Sequence, residues 1–419
     1  MNQPGPVGAG QLHRRLGVVD AVTIGLGAMI GAGIFAALAP AAEAAGSGLL
    51  IGLAIAAVIA YCNATSSARL AALYPVSGGT YVYGRERLGP FWGYLAGWGF
   101  VVGKTASCAA MALTVGLYLW PEYAHAVAVA AVVLLTAVNC LGVTKSALLT
   151  RLIVAVVLAV LAAVVVTALT SDATQADRLD PLTDLTAAGV LQAAGLLFFA
   201  FAGYARIATL GEEVRDPART IPRAIPLALA ITLFVYLVVA VAVLAVLGAD
   251  AMAGSAAPLV DAVGAAGATW LEPVVRVGAV VAAVGSMLAV LLGVSRTTMA
   301  MARDRHLPHA LARVHPATGV PYRAEIAIGL VVAVLAATAD LREAIGFSSF
   351  AVLIYYAIAN LSAATLSAGE GRPPRVVPVL GLLGCVVLAA CLPASSVIAG
   401  IAVLAGGAAV YGLRRVTAR

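Results

Sequence analysis

Residues 25–35 of this chain read GLGAMIGAGIF, and four of the first nine are glycines. Glycine costs about 1 kcal/mol relative to alanine in a helix interior, so an apolar span with this many glycines predicts an interrupted helix. In lipid, such an interruption persists only where the freed N–H and C=O groups find protein, water or ligand. Close helix packing is the alternative, since Gly27 and Gly31 also form a GxxxG pair.

The surrounding composition is that of a membrane protein. Of 419 residues, 62% are hydrophobic and only 11% are charged, whereas soluble domains are about 45–50% apolar and about 25% charged. This composition excludes a cytosolic enzyme, a nucleic-acid-binding protein and a disordered chain. We therefore predict an all-α, polytopic integral membrane protein, and we attribute the net charge of +6 to an uneven distribution of arginine across the bilayer.

Twelve apolar spans are predicted, at residues about 18–42, 48–72, 90–120, 124–143, 147–170, 185–209, 224–248, 272–302, 324–339, 343–367, 376–392 and 395–413. With the N-terminus placed inside, 20 of the 25 Lys and Arg residues are cytoplasmic, three are external, and Lys104 and Arg206 lie within spans. Basic residues accumulate in cytoplasmic loops. The partition therefore predicts that both termini are cytoplasmic.

A second glycine lies near the middle of the sixth span, where residues 198–206 read FFAFAGYAR. Two interrupted segments at matching positions of two halves are the best sequence indication of a transporter site. Helix N-termini present N–H groups to an anion, and helix C-termini present carbonyls to a cation. A pair of broken helices thus suits a zwitterion, which predicts an α-amino acid as the substrate.

Four segments together resemble the amino acid–polyamine–organocation (APC) family of permeases, over nearly the whole chain. They are GAMIGAGIF at 27–35, LYPVSGGTY at 73–81, the 199–203 stretch followed by Thr209 and Glu212-Glu213, and ARDRHLP at 302–308. The resemblance implies a LeuT-type fold of two inverted five-helix repeats with helices 1 and 6 discontinuous, plus two C-terminal helices, and alternating access around a midplane site.

On this basis the chain divides into six parts. They are a cytoplasmic tail (1–16), a first repeat of spans 1–5 (17–170), an extracellular loop (171–184), a second repeat of spans 6–10 (185–367), spans 11 and 12 (368–413) and a second cytoplasmic tail (414–419).

The resemblance also implies which backbone groups bind substrate. The carboxylate-binding amides correspond to Ala32 and Gly33, beside Gly31. The ammonium-binding carbonyls correspond to Met29, Phe199 and Ala202, beside Gly203, and Phe199 also occupies the position of an aromatic gate. Two positions depart from the family pattern. Val157 stands where some proton-coupled relatives have a lysine, and Ala205 stands where the family has an acid.

Two basic residues within spans are further candidates. Lys104 lies roughly 21 Å along the third span at about 1.5 Å per residue, and an ionisable residue at this depth is a functional hypothesis by default. It could contact a substrate carboxylate, carry a proton in place of a coupling cation, or bind carbonyls at a helix break. Arg206 could contact substrate, or pair with Glu212 or Glu213 as an inner gate.

No acidic residue is expected in the middle of a span, which favours substrates with neutral or acidic side chains. We predict a secondary amino acid transporter of the bacterial plasma (inner) membrane, a proton symporter or exchanger, that is a monomer or homodimer in contact with membrane lipid. The alternative is a membrane sensor or channel-like facilitator. We expect no enzymatic activity, catalytic residues, cofactor, metal site or nucleic-acid partner, and we interpret His306, His309 and His315 as part of a solvated loop.

Overall fold

A computed structural model describes residues 16–75, 78–142, 147–182, 185–208, 214–316 and 318–417. These residues form eighteen α-helices and seven short 3-10 turns, with no strand among them; Leu16 and Val214 make an isolated bridge. The α-helices are α1 (Val18–Met29), α2 (Ala32–Ala36), α3 (Leu38–Ala45), α4 (Leu49–Leu73), α5 (Thr80–Leu88), α6 (Pro90–Leu119), α7 (Ala124–Cys140), α8 (Ala147–Leu169), α9 (Ala187–Phe201), α10 (Ala205–Ala208), α11 (Pro217–Leu247), α12 (Ala249–Ala253), α13 (Pro258–Ala265), α14 (Glu272–Arg303), α15 (Tyr322–Thr338), α16 (Leu341–Ala364), α17 (Val376–Cys391) and α18 (Ala394–Thr417).

The prediction of an all-helical chain is confirmed. Within the described ranges, ten segments are long and apolar enough to cross a membrane. Two of the twelve predicted spans correspond to shorter helices, because α15 has 17 residues and α17 has 16. The 17-residue helix also begins with Arg323 and Glu325 in its first turn, which lowers its mean hydropathy.

The centre of the bundle is formed by α6 and α16. In each, 83% of an apolar 18-residue stretch is buried inside the protein. The buried share is 28% for the segment that contains α7 and 17% for the segment that contains α18. The outer helices expose leucine, isoleucine and valine, as expected where the surrounding medium is hydrocarbon. The polar groups of the site therefore lie at the buried α6–α16 centre.

One helix that was not predicted positions part of the site. The short helix α5 follows Gly78 and Gly79, whose φ angles of 130° and 56° are strained for residues with a side chain. The first amide of α5, at Thr80, donates to Tyr355 Oη of α16 at 3.0 Å. This turn places Tyr81 and Arg85 beside the central helices.

Candidate functional site

The first predicted interruption is present between α1 and α2. Helix α1 ends at Met29, two residues leave helical geometry, and α2 starts at Ala32. The carbonyls of Met29 and Ala200 share the single O–H donor of Tyr236, whose Oη lies 2.5 Å from the first oxygen and 3.0 Å from the second. Tyr236 thus joins the two interrupted segments through their backbones.

The second interruption is a single 3-10 turn, Ala202–Tyr204, between α9 and α10. The carbonyl of Ala202 accepts hydrogen bonds from two side chains of the central helices. Lys104 Nζ donates from α6 and Tyr356 Oη from α16, both at 3.3 Å. The freed carbonyl at this break is therefore held by a cation and a hydroxyl.

The two interruptions touch each other. A Cβ added to Gly203 would lie 2.3 Å from the carbonyl oxygen of Ala28, and one added to Gly33 would lie 2.7 Å from the Cα of Ala200. Real Cβ atoms do not approach so closely, so only glycine fits at these two backbone crossings. The glycines predicted from sequence to break helices also allow the broken segments to pack together.

Lys104 is buried in the middle of α6, with 8% of its surface exposed. Within the described part of the chain its ammonium makes no ion pair, and it donates a hydrogen bond to the neutral carbonyl of Ala202. A buried charge without an opposite charge is costly. Such a group is a strong candidate for contact with an anion that enters the site.

A cavity of about 400 Å³ reaches from the second interruption to the surface around Arg85 and Asp304, which we call the Arg85 face. Phe199, Ala202 and Gly203 line its inner part. Its charged lining, among the described residues, consists of Arg85, Lys104, Arg206, Arg296, Arg303 and Asp304. Five cations and one carboxylate make the electrostatic environment of this cavity basic.

The predicted site residues divide into two groups. Phe199, Ala202, Gly203, Lys104 and Arg206 line the cavity. The residues of the first interruption are instead packed into the core beside it and do not line it. These residues are Met29, Gly31, Ala32 and Gly33.

The predicted latch between Arg206 and an acid falls partly beyond the structure. Glu212 and Glu213 lie outside the described residues, as does Thr209. Arg206 itself is half-buried on the cavity wall. The latch therefore stays a prediction.

The mouth of the cavity is built by a cluster that sequence reasoning missed. Tyr81 Oη donates to Asp304 and pairs with His306 Nδ1 at 3.0 Å, while Arg85 contacts Asp304 at 3.4 Å. Burial, reinforced by Asp304, raises the pKa of the Tyr81 hydroxyl. Burial likewise lowers the pKa of His306. The interpretation of His306 as part of a solvated loop was wrong, because its ring packs against Tyr94.

Tyr355 and Tyr356 of α16 are not among the site residues predicted from the sequence. Tyr355 nevertheless lines the cavity, and Tyr356 holds the Ala202 carbonyl. The available signal was a pair of hydroxyl groups within an apolar span. An isolated hydroxyl in lipid needs a partner. For Tyr356 that partner is the Ala202 carbonyl freed by the helix break, and for Tyr355 it is the amide of Thr80.

A buried carboxylate also escaped prediction. Glu325 is 1% exposed in the first turn of α15, and its Oε1 accepts from Asn139 Nδ2 of α7 at 2.5 Å. Its Oε2 is buried as well, and the hydroxyl of Ser295 lies beside the carboxylate. Glu325 lies at the edge of a predicted span, so it is consistent with the expectation that no acid lies in the middle of one. It is nevertheless an acid buried among the helices.

Comparison with known proteins supplies the family. The amino acid permease model matches residues 16–411. An uncharacterized transporter of Mycobacterium tuberculosis is 73% identical over 98% of this chain and 93% of its own length. The branched-chain amino acid permease BcaP of Bacillus subtilis is 27% identical over 91% of this chain and 88% of its own length.

A more distant similarity extends to eukaryotes. The human cationic amino acid transporter 4 is 27% identical over 87% of this chain and 61% of its own length. The names of these relatives indicate different amino acids, so they do not by themselves specify one substrate. The match over nearly all of its length, on a helical bundle with two interrupted segments, shows that this chain belongs to the amino acid permease family.

Proposed function

We propose that this multi-pass membrane protein transports an α-amino acid with a neutral or acidic side chain by alternating access. The observation that carries the proposal is the basic cavity between the second helix break and the Arg85 face. Its volume of about 400 Å³ lies in the range of small-molecule sites, about 300–1,000 Å³. Lys104 and the break at Ala202 meet at its inner end.

The basic lining argues for the charge of the substrate. Even without Arg206, the cavity places four basic side chains against the single carboxylate of Asp304, counting the described residues, and that carboxylate is already engaged by Tyr81 and Arg85. A lysine- or arginine-like substrate would add a further cation to this environment, which costs energy without a compensating acid. We therefore favour neutral and acidic amino acids over the cationic class that the human relative's name indicates.

We place the substrate carboxylate near Lys104. The ammonium is buried and bonded only weakly, at 3.3 Å, to a neutral carbonyl, so an incoming carboxylate would provide a charge partner that the described residues do not. The substrate ammonium would then approach the Phe199 and Ala202 carbonyls at the start of the second break. In this arrangement Ala32 and Gly33 join the site only after the first broken helix moves.

The membrane arrangement belongs to the same proposal. We infer twelve spans, with α15 and α17 as the two short ones, arranged as two inverted five-helix repeats followed by two further helices. The Arg85 face is assigned to the cytoplasm because basic residues concentrate on that side. On this assignment the structure is open to the cytoplasm, and the termini are cytoplasmic in a bacterial inner membrane.

The first test is a thermal-shift scan of the purified protein against the twenty amino acids. A ligand at about 100 times its Kd stabilises the folded state by about 2.7 kcal/mol, so we expect neutral or acidic amino acids to raise the melting temperature. Uptake of the strongest ligand into proteoliposomes, with and without a pH gradient, then distinguishes proton symport from exchange.

Three outcomes would contradict parts of the proposal. Uptake of arginine without uptake of neutral or acidic amino acids would refute the substrate class. Binding without uptake or exchange would indicate a sensor. Uptake that does not saturate with substrate concentration would indicate a channel-like facilitator.

A further inference from the structure

A second pocket lies between the end of α14 and the start of α15, and of its lining residues only Arg303 also lines the transport cavity. We propose that it binds the phosphate-bearing headgroup of an anionic phospholipid. The pocket has a volume of about 460 Å³, and its charged lining consists of Arg303, Arg313, Arg323 and His309. The 3-10 turn His309–Ala312 closes one side of it.

The charge of this pocket is uncompensated. No acidic residue lines it, and none of Arg303, Arg313 and Arg323 forms an ion pair within the described ranges. Three guanidinium groups around one space repel each other unless an anion lies between them. Arginine presents a planar set of donors that matches phosphate in a bidentate manner, so the pocket has the chemistry of a phosphate site.

The position of the pocket indicates a lipid rather than a free ion. Helix α14 is one of the segments long and apolar enough to cross the membrane, and Arg303 is its last residue. Arg323 is the second residue of α15. The pocket thus lies where two apolar helices end, at the level of the lipid headgroups, and basic pockets at this level are typical sites for anionic headgroups.

An apolar surface continues from the pocket along α15. Ile326, Leu330 and Val334 follow Arg323 at intervals of three or four residues, so they share one side of the helix. Their side chains are 53%, 67% and 54% exposed. A guanidinium at the headgroup level complements the phosphate of a phospholipid, and the apolar stripe below it complements the acyl chain. Inorganic phosphate would bind only the guanidinium.

The experiment measures lipid binding, so its result is independent of transport. Native mass spectrometry would compare retention of phosphatidylglycerol and phosphatidylcholine by the purified wild type and by Arg313→Gln/Arg323→Gln. Both substituted residues lie outside the transport cavity. We expect phosphatidylglycerol to be retained in preference to phosphatidylcholine, and the double variant to bind it at least tenfold more weakly.

A matched control removes the same charge elsewhere. Arg372→Gln/Arg375→Gln lies in the loop between α16 and α17, and it should retain phosphatidylglycerol as the wild type does. Equal losses in the two double variants would overturn the proposal by showing a nonspecific charge effect.

Measurements on the wild type keep the proposal falsifiable if the double variant does not fold. Phosphatidylglycerol should raise the melting temperature and phosphatidylcholine should not. Equal effects of these two lipids would refute an anionic headgroup site. Equal protection by millimolar inorganic phosphate would show a free-anion site and refute the lipid.

Discussion

Each of the two helix breaks frees a backbone carbonyl, but the two carbonyls have different partners and surroundings. At the first, the freed carbonyl of Met29 bonds to the neutral hydroxyl of Tyr236, and the surrounding backbone is packed into the core. At the second, the freed carbonyl of Ala202 bonds to the ammonium of Lys104 and lines an open cavity. Interrupting a helix therefore does not by itself create a binding site. The role of a break depends on which groups bond to the freed backbone carbonyl and on whether a cavity lies beside it.

The difference also gives the breaks different roles in the proposed cycle. The first break is closed by protein groups in this conformation, so its amides reach substrate only if the segment moves. The second break is accessible already. We infer that the second break receives the substrate from the Arg85 face, and that the first completes the site as the cavity closes.

Substitution of Gly203 should give the largest effect, because there the two breaks meet through backbone atoms. In Gly203→Ala, the new Cβ would lie 2.3 Å from the Ala28 oxygen and 2.6 Å from the Met29 nitrogen. Neither backbone atom can rotate away, so we expect destabilisation of about 3 kcal/mol, the upper part of the usual overpacking range. Thermal unfolding in detergent would measure it.

Two variants sharpen this test. In Gly31→Ala the new Cβ would lie 2.5 Å from Ser286 Oγ and 2.6 Å from Ser286 Cβ, two atoms of one side chain, so Gly31→Ala/Ser286→Gly removes both contacts and should recover most of the lost stability. Gly406→Ala, where a Cβ meets nothing within 4 Å, serves as the neutral control. A stable Gly203→Ala protein would show that the two breaks are not rigidly packed.

Replacement of Lys104 tests the charged partner at the second break. Lys104→Met keeps most of the apolar stem and removes the ammonium, so the protein should stay folded while transport falls at least tenfold, equivalent to about 1.4 kcal/mol. Initial uptake rates in proteoliposomes against substrate concentration would measure the loss.

The kinetics separate the three roles considered for Lys104. A raised KM with an unchanged response to a pH gradient indicates contact with the substrate carboxylate. Loss of the response to the gradient indicates a proton carrier. Transport and binding equal to those of Thr105→Val, the adjacent buried residue that bonds within its own helix, would show that Lys104 is merely structural.

Tyr236 tests the neutral partner at the first break. Tyr236→Phe removes the hydroxyl that holds the Met29 and Ala200 carbonyls. Leaving these buried acceptors without their donor should cost about 1–2 kcal/mol of stability, while substrate KM changes less than twofold. Melting temperature and uptake, measured on the same preparation, would check both. A large change in KM with unchanged stability would instead place the first break in the open site.

Local sequence patterns predicted the positions of the two helix breaks better than they predicted which groups bind there. The glycines at 31 and 203 predicted both interruptions because helix propensity acts locally. The partners of the freed carbonyls could not be predicted in the same way. Tyr236 and Tyr356 lie far along the chain from the groups that they bind, and only packing brings them together. The mouth of the cavity depends likewise on the contact between α5 and the end of α14.

Titration of His306 should produce the smallest effect, at the mouth of the cavity that serves the second break. Burial lowers the pKa of His306 from its ordinary 6.5, with Asp304 opposing and Arg85 and Arg414 reinforcing the shift. The folded protein therefore binds fewer protons than the unfolded chain just below pH 6.5. By linkage, this contribution to stability is present above pH 6.5 and is lost as the pH falls towards the lowered pKa.

We accordingly expect the melting temperature of the wild type to fall by a few degrees between pH 7 and pH 5, and His306→Asn to flatten this slope. His315→Asn, in the same loop but away from Tyr81, is the matched control and should keep the wild-type slope.

Protonation of His306 also places a cation beside Arg85, so uptake through the mouth should fall over the same pH interval in the wild type and less so in His306→Asn. Identical pH profiles in all three proteins would show that His306 does not change its protonation state in this pH interval. The mouth would then add no pH-dependent charge to that of Lys104 at the second break.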